Sequence, residues 1–398
     1  MLKLKTAKSG EIANLHYEGV KYYIEQVLDF YIDFFEIINE NKPYTDAQTI
    51  LYDNSDLESK TITSFVNGLG YEVSKKKIKK ASIEDICSNP HEYLNPLFYN
   101  ANEKAYLLLF FKELKDELKS IIISPPKELI SIDNNLKEMF PSISTDDGFY
   151  IEPIRRILLL KIFNYKKFSN NTSNGFQKDV HKTEYWERYD LAKALNINTC
   201  AYCNRIHTIT VIKENGKGVA SPSMDHFFDK SKFPLFALSF YNLIPSCTNC
   251  NSTLKGQKTF DLDNYLHPYL SGFDDHATFS YVPNDADAAD GNSDNLMVYL
   301  KPKKGSPIEK QVKGNIELFE LDQIYSQHAD YVQELIKKKE MSNDRYLDIL
   351  MNDTYRGLNL SLEEAYRLAF GNYYNEEDFQ KRPMAKMIKD LVKELRMI

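Results

Sequence analysis

The sequence predicts an α+β protein: a mainly helical chain of 398 residues with a small strand-and-helix module embedded in it and pinned by cysteines. Three observations predict this class. Apolar residues recur at steps of three and four near the start and end of the chain, the spacing of helices with one buried face. Around residue 206 the pattern changes to alternation, the period of a strand. Four of the five cysteines fall in the middle as two Cys-x-x-Cys pairs, Cys200 with Cys203 and Cys247 with Cys250.

In chain order, Val20, Ile24, Val27, Leu28, Tyr31, Phe35 and Ile38 mark one helical stripe. Ala105–Leu118 and Ile151–Phe163 are dense enough in apolar residues to be two more helices. The lysines Lys75–Lys77, Lys79 and Lys80 read as a solvated turn. The polar run from Ser169 to Gly175 reads as a linker, so residues 1–170 are expected to form a helical domain. A short helix over Glu184–Leu195 leads into a module spanning 180–275. Beyond it, 276–398 is expected to hold two short strands, Thr278–Val282 and Leu296–Leu300, then a helical region. There Ser361 and Glu364 form a capping box and the last helix lies near Ala385–Leu395. The acidic stretch Asp285–Gly291 fails the calcium-loop register, with Ala289 at its fifth position and Leu296 where the bidentate Glu belongs. It is expected to be an exposed loop.

Composition narrows the function classes. With 42% hydrophobic and 13% aromatic residues, 15 Gly and 15 Pro, the chain fills a core and is neither collagen-like nor disordered. No apolar run reaches the roughly 20 residues of a membrane helix, and MLKLKTAKSGE has no signal-peptide core. A cytoplasmic protein without a membrane partner is expected. The net charge of −7 excludes a polycation built to coat nucleic acid. Between Asn196 and Phe260, however, seven Lys and Arg face three Asp and Glu, a locally basic balance that suits an anionic partner.

Paired Cys-x-x-Cys motifs in an intracellular chain point to metal before disulfide. Two of them supply the four thiolates of a tetrahedral structural zinc. Cys87 stands apart and reads as an inert thiol. Simple zinc ribbons space their pairs by about 15–20 residues; here 43 residues, Asn204 to Ser246, lie between them. Within this insert Ile206–Lys213 alternates as a strand, Glu214–Gly218 supplies turn residues, and a second strand ends at Met224-Asp225-His226. A loop then leads to Asn242 in NLIPSC, and Asn251 opens a short helix in CNSTLK.

Asp225-His226, Asn242 and Asn251 inside the double Cys-x-x-Cys frame resemble the HNH endonuclease family, with its ββα-metal core. The resemblance covers about 80 residues, Trp186 to His267. Asn251 stands where the signature often has His, and Asp229 where the family often has Pro. The resemblance implies His226 as general base, Asp225 and Asn251 on a catalytic Mg²⁺ or Mn²⁺, and Asn242 bracing the loop after His226. The residue chemistry agrees. An imidazole titrating near pH ~6.5 can deprotonate water, and hard oxygen donors suit Mg²⁺. Lys255, four residues after Asn251, and Arg205 are candidate phosphate contacts, the alternative for Lys255 being a solvated side chain. His207 and His267 read as structural, and Tyr202 and Trp186 as packing around the zinc module.

The NLIPSC-x-x-CN-x-x-LKG stretch between helical flanks is similar to HNH nucleases of bacterial defence against phage and other mobile DNA, including Septu-type and retron-associated effectors. DNA is then the expected substrate. A separate ATPase or another defence subunit, or a second copy of the chain, is an expected partner, and no phosphate-loop motif occurs in this chain. The alternative is a zinc-stabilised module that binds nucleic acid or protein without cutting.

Overall fold

The structure, a computed structural model, describes residues 1–4, 9–40, 89–94, 96–98, 101–169, 176–178, 185–214, 216–342, 346–354 and 356–398. Cys87, the Lys75–Lys77 run and residues 170–175 of the expected linker lie outside the described residues.

The chain divides into two compact units, and not in linear order. One comprises Gly10–Leu191 and Phe228–Leu243; the other comprises Met1–Ser9, Ala192–Phe227 and Ile244–Ile398. The expected boundary near 170–180 therefore falls inside a unit, and so does the one at 275/276. The expected 180–275 module is itself divided, because Phe228, Leu235, Phe236, Leu238 and Phe240 are apolar and bury completely or nearly so. Hydrophobic burial, and not sequence continuity, decides which unit the segment joins.

The first unit is helical. Ser9–Glu40 is one helix, and the stripe residues Val20, Ile24, Val27, Leu28, Tyr31 and Phe35 are buried. Phe111 stacks on Tyr31 and Phe35 at 5.2 and 5.6 Å. The helix expected over Ala105–Leu118 runs as Ala101–Asp116 and Leu118–Ile123. Pro126 opens the next helix, Pro126–Met139, at the position where a missing N–H costs nothing. Glu152–Ile157 continues as a wider turn over Leu158–Ile162. A two-residue pair, β1 (Phe176–Gln177) with β2 (Tyr185–Trp186), precedes the helix Arg188–Leu195. The Phe228–Leu243 segment is tied in by hydrogen bonds. Ser239 Oγ donates to the Ile121 carbonyl at 2.5 Å, and His16 Nε2 lies 2.8 Å from the Leu238 carbonyl.

In the second unit, β3 (Val211–Ile212) and β4 (Gly218–Ala220) form a short hairpin. β5 (Ser223–His226) pairs with β6 (Leu243–Ser246), most of which lies in this unit. β7 (Ala277–Pro283) and β8 (Leu296–Pro302) are the expected antiparallel pair, in register from Ala277↔Pro302 to Pro283↔Leu296. Phe279 and Leu300 stand opposite each other, and their outward N–H groups each meet a helix carboxylate. Phe279 donates to Asp390 at 3.0 Å and Leu300 to Asp322 at 2.8 Å. Each of these bonds satisfies one outward N–H of the ribbon. The capping box at Ser361 and Glu364 is present, and the last helix is Ala385–Glu394. The acidic stretch expected as a loop contains a helical turn, Ala286–Ala289, because Asp285 accepts the Ala288 N–H at 2.8 Å. Among the described residues no helix is long and apolar enough to cross a membrane.

Candidate functional site

The four cysteines come together. Cys200, Cys203, Cys247 and Cys250 are buried, and their sulfurs all lie within 4.8 Å of one another. Each pair is shaped by its own backbone. The Cys200 carbonyl accepts the Asn204 N–H at 2.8 Å, and Asn204 adopts a left-handed φ of 49° that closes the first knuckle. The Cys247 carbonyl accepts the Asn251 N–H at 3.0 Å. Main-chain N–H groups of Arg205 and Cys250 point at Cys203 and Cys247 sulfur, both at 3.4 Å. The donors suit anionic sulfur. Burial pushes the Cys200 thiol up, while donation from Cys200 pulls Cys247 down. A Zn²⁺ ion satisfies both, since it takes all four groups as thiolates. The donor set, its burial and its spacing fit structural zinc.

The first knuckle is anchored beyond itself. Asn204 Nδ2 donates to Thr199 Oγ1 and to the Phe379 carbonyl, both at 3.0 Å, and Tyr325 Oη donates to the Cys203 carbonyl. Between the cysteines, Tyr202 is fully buried and stacks on Phe319 at 4.6 Å.

His226 ends β5 and is 7% exposed. The strand partner differs from the expected one: Ile206–Lys213 forms a strand only at Val211–Ile212, whose partner is Gly218–Ala220. The strand carrying Asp225-His226 pairs instead with β6, which runs directly into the second knuckle and a helical turn, Asn249–Lys255. That turn closes with a wide bond from Gly256 N–H to the Asn251 carbonyl, 3.1 Å.

The remaining expected site residues are placed as follows. Asn242 belongs to the helical unit. Fully buried, it accepts the Phe228 N–H at 2.7 Å and donates to the carbonyls of Phe228 (3.1 Å) and Phe236 (2.9 Å). It thus braces the segment that begins two residues after His226. Asn251 is half-buried, and its side-chain amide makes no hydrogen bond among the described residues. Arg205 is half-buried with Nη1 3.4 Å from His328 Nε2, beside the first knuckle.

Asp225 and Lys255 need correction. Like its neighbour His226, Asp225 is buried; it is 4% exposed. Its Oδ1 and Oδ2 accept the Lys255 ammonium at 2.8 and 2.7 Å, and Oδ2 also accepts the Tyr202 hydroxyl at 2.5 Å. Lys255 is correspondingly buried, 3% exposed, and is not an exposed phosphate contact. Asp225 as placed is buried and already neutralised by this ammonium, which does not suit the expected catalytic Mg²⁺ or Mn²⁺. Sequence reasoning missed Tyr202 as a partner of Asp225; its place inside a knuckle was the available signal.

Trp186, expected to pack around the zinc module, lies in the helical unit. Its ring covers Gly19, where a Cβ would come within 2.3 Å of the indole. Its Nε1 donates to His16 Nδ1 at 3.0 Å. The His16 proton is thereby placed on Nε2, facing the Leu238 carbonyl, and burial holds the imidazole down at about 4. His267 is a core residue against Phe227, 4.3 Å between ring centres, and His207 is exposed.

In the comparisons with known proteins, no family model, no curated protein and no solved structure matches this chain.

Proposed function

We propose that this chain is an HNH-type endonuclease that hydrolyses phosphodiester bonds of DNA, serving as an effector in bacterial defence against phage or other mobile DNA. The observation that carries the reading is His226 at the end of a strand whose partner leads into the second half of a four-cysteine frame and a helical turn. Strand, strand and helical turn then follow the order of the family's core, with Asn251 on the turn. In this reading His226 takes a proton from the attacking water. Asn242 holds the segment that follows it, and the zinc holds the frame without entering the reaction.

A second reading, a zinc-stabilised module that binds nucleic acid or protein without cutting, is favoured by the engagement of Asp225 with Lys255. One experiment separates the two. Zinc-loaded protein is incubated with plasmid and with single-stranded DNA in Mg²⁺, in Mn²⁺ and in EDTA, beside His226→Ala. Divalent ions are included because a displacement at phosphorus needs its charge neutralised. Cleavage lost in His226→Ala, with zinc content unchanged, supports the nuclease. DNA retention without cleavage under every condition supports the binder, and equal cleavage by the variant refutes His226 as the base.

A further inference from the structure

Lys255 makes an arrangement that the nuclease reading does not require. An ammonium has three N–H donors and no acceptor. Here it meets the two Asp225 oxygens, the His226 main-chain carbonyl and, at 3.4 Å, the Phe227 carbonyl. Phe260 lies under it, the ring centre 4.6 Å away. The charges are buried together, and burial of such a pair is tolerated only when its remaining hydrogen-bonding groups are satisfied. Asp225 supplies the counter-charge and the Tyr202 hydroxyl satisfies its Oδ2.

Both halves of the cysteine frame contribute to this cluster. Tyr202 sits between Cys200 and Cys203, and Lys255 follows Cys250 at the end of the helical turn. A fixed carbonyl restricts the main-chain torsions of His226 and so the direction of its side chain.

We propose that Lys255 is a positioning residue. Its ammonium, anchored by Asp225, fixes the main chain of His226, and the four-cysteine frame holds both ends of this clamp. Asp225 is then the counter-ion of Lys255 and not a ligand of a divalent ion. What the clamp serves rests on the nuclease reading; the clamp itself does not.

The test uses the full, zinc-loaded chain. His226-Phe227 is the only His-Phe step in the sequence, so labelling His with ¹³C at the carbonyl and Phe with ¹⁵N gives one NMR cross-peak that reports the clamped carbonyl. The variants are Asp225→Asn, Lys255→Met and the double variant Asp225→Leu/Lys255→Met, which removes both charges and guards against a single variant that does not fold. Mn²⁺ binding is followed by electron paramagnetic resonance, and kcat and KM are measured on any DNA the wild type cuts.

In Lys255→Met and in the double variant the cross-peak is expected to move while zinc stays at the wild-type level. Asp225→Asn is expected to leave Mn²⁺ binding unchanged. Cleavage is expected to lose kcat by tenfold or more in Lys255→Met at unchanged KM. A cross-peak that stays in place in the folded double variant overturns the clamp. A tenfold loss of Mn²⁺ affinity in Asp225→Asn overturns the counter-ion assignment. If the wild type cuts nothing, the nuclease reading fails, and the cross-peak still decides the clamp.

Discussion

Asn242→Ala tests how firmly the segment after His226 is held. The side chain is completely buried and makes three hydrogen bonds to main-chain groups of Phe228 and Phe236, at 2.7, 3.1 and 2.9 Å. At about 1 kcal/mol net for each bond, its loss costs ~3 kcal/mol, on the order of a hundredfold in the unfolding equilibrium. The Phe236 carbonyl keeps a second donor, the Ser239 N–H at 3.2 Å, so its own share of the loss stays at the lower end. Asn242→Asp separates hydrogen bonding from volume. It keeps an acceptor for Phe228 N–H but turns the two donations into an oxygen facing two carbonyls. It is expected to be at least as destabilising as alanine. Trp186, the single tryptophan of the chain, lies buried in the same unit as Asn242 and reports its unfolding. In urea titrations followed by its fluorescence, a loss below ~1 kcal/mol for Asn242→Ala, or wild-type stability for Asn242→Asp, would refute the reasoning.

Two further predictions concern the metal and the pH response. One zinc per chain is expected by elemental analysis, and Cys250→Ser or zinc stripping is expected to unfold the cysteine-bearing unit. Structural zinc contributes on the order of 10–16 kcal/mol in zinc-finger peptides, as much as or more than the whole ~5–15 kcal/mol by which a typical domain is stable. Metal-free protein with an unchanged melting temperature would exclude the zinc frame. His16 is neutral when folded, with its imidazole lowered by burial to about 4 from 6.5. The unfolded chain therefore binds its proton first as pH falls. The stability that His16 contributes is complete above pH 6.5 and is lost between pH 6.5 and 4, about 3 kcal/mol in all at 1.36 kcal/mol per unit. His16→Phe is expected to flatten that part of the stability-versus-pH curve, and an unchanged slope would show that the imidazole is already charged in the fold.

Some features were legible because they depend on neighbours in sequence. The stripe from Val20 to Phe35 follows from helical periodicity, the β7 and β8 strands from two short apolar runs on either side of an acidic stretch, and the capping box from Ser361 and Glu364 three residues apart. The four cysteines were legible as a metal set because thiolate chemistry and spacing suffice to propose one, and the fold brings all four together.

Other features depend on contacts between residues far apart in sequence, which periodicity does not encode. Whether Asp225 faces a metal or a lysine depended on which strand paired with β5 and on where Lys255 came to lie; the tertiary structure placed a buried ammonium there. Likewise, the 43 residues between the knuckles were countable in the sequence, but their division was not. Phe228–Leu243 joined the helical unit because its phenylalanines and leucines found their buried surroundings there, while Asp225 and His226 stayed with the cysteines. Sequence alone determined the chemistry available to this protein, since residue types and local spacing carry it. Tertiary structure decided which groups neutralise one another, because a buried charge is governed by whatever partner the fold brings within hydrogen-bonding distance.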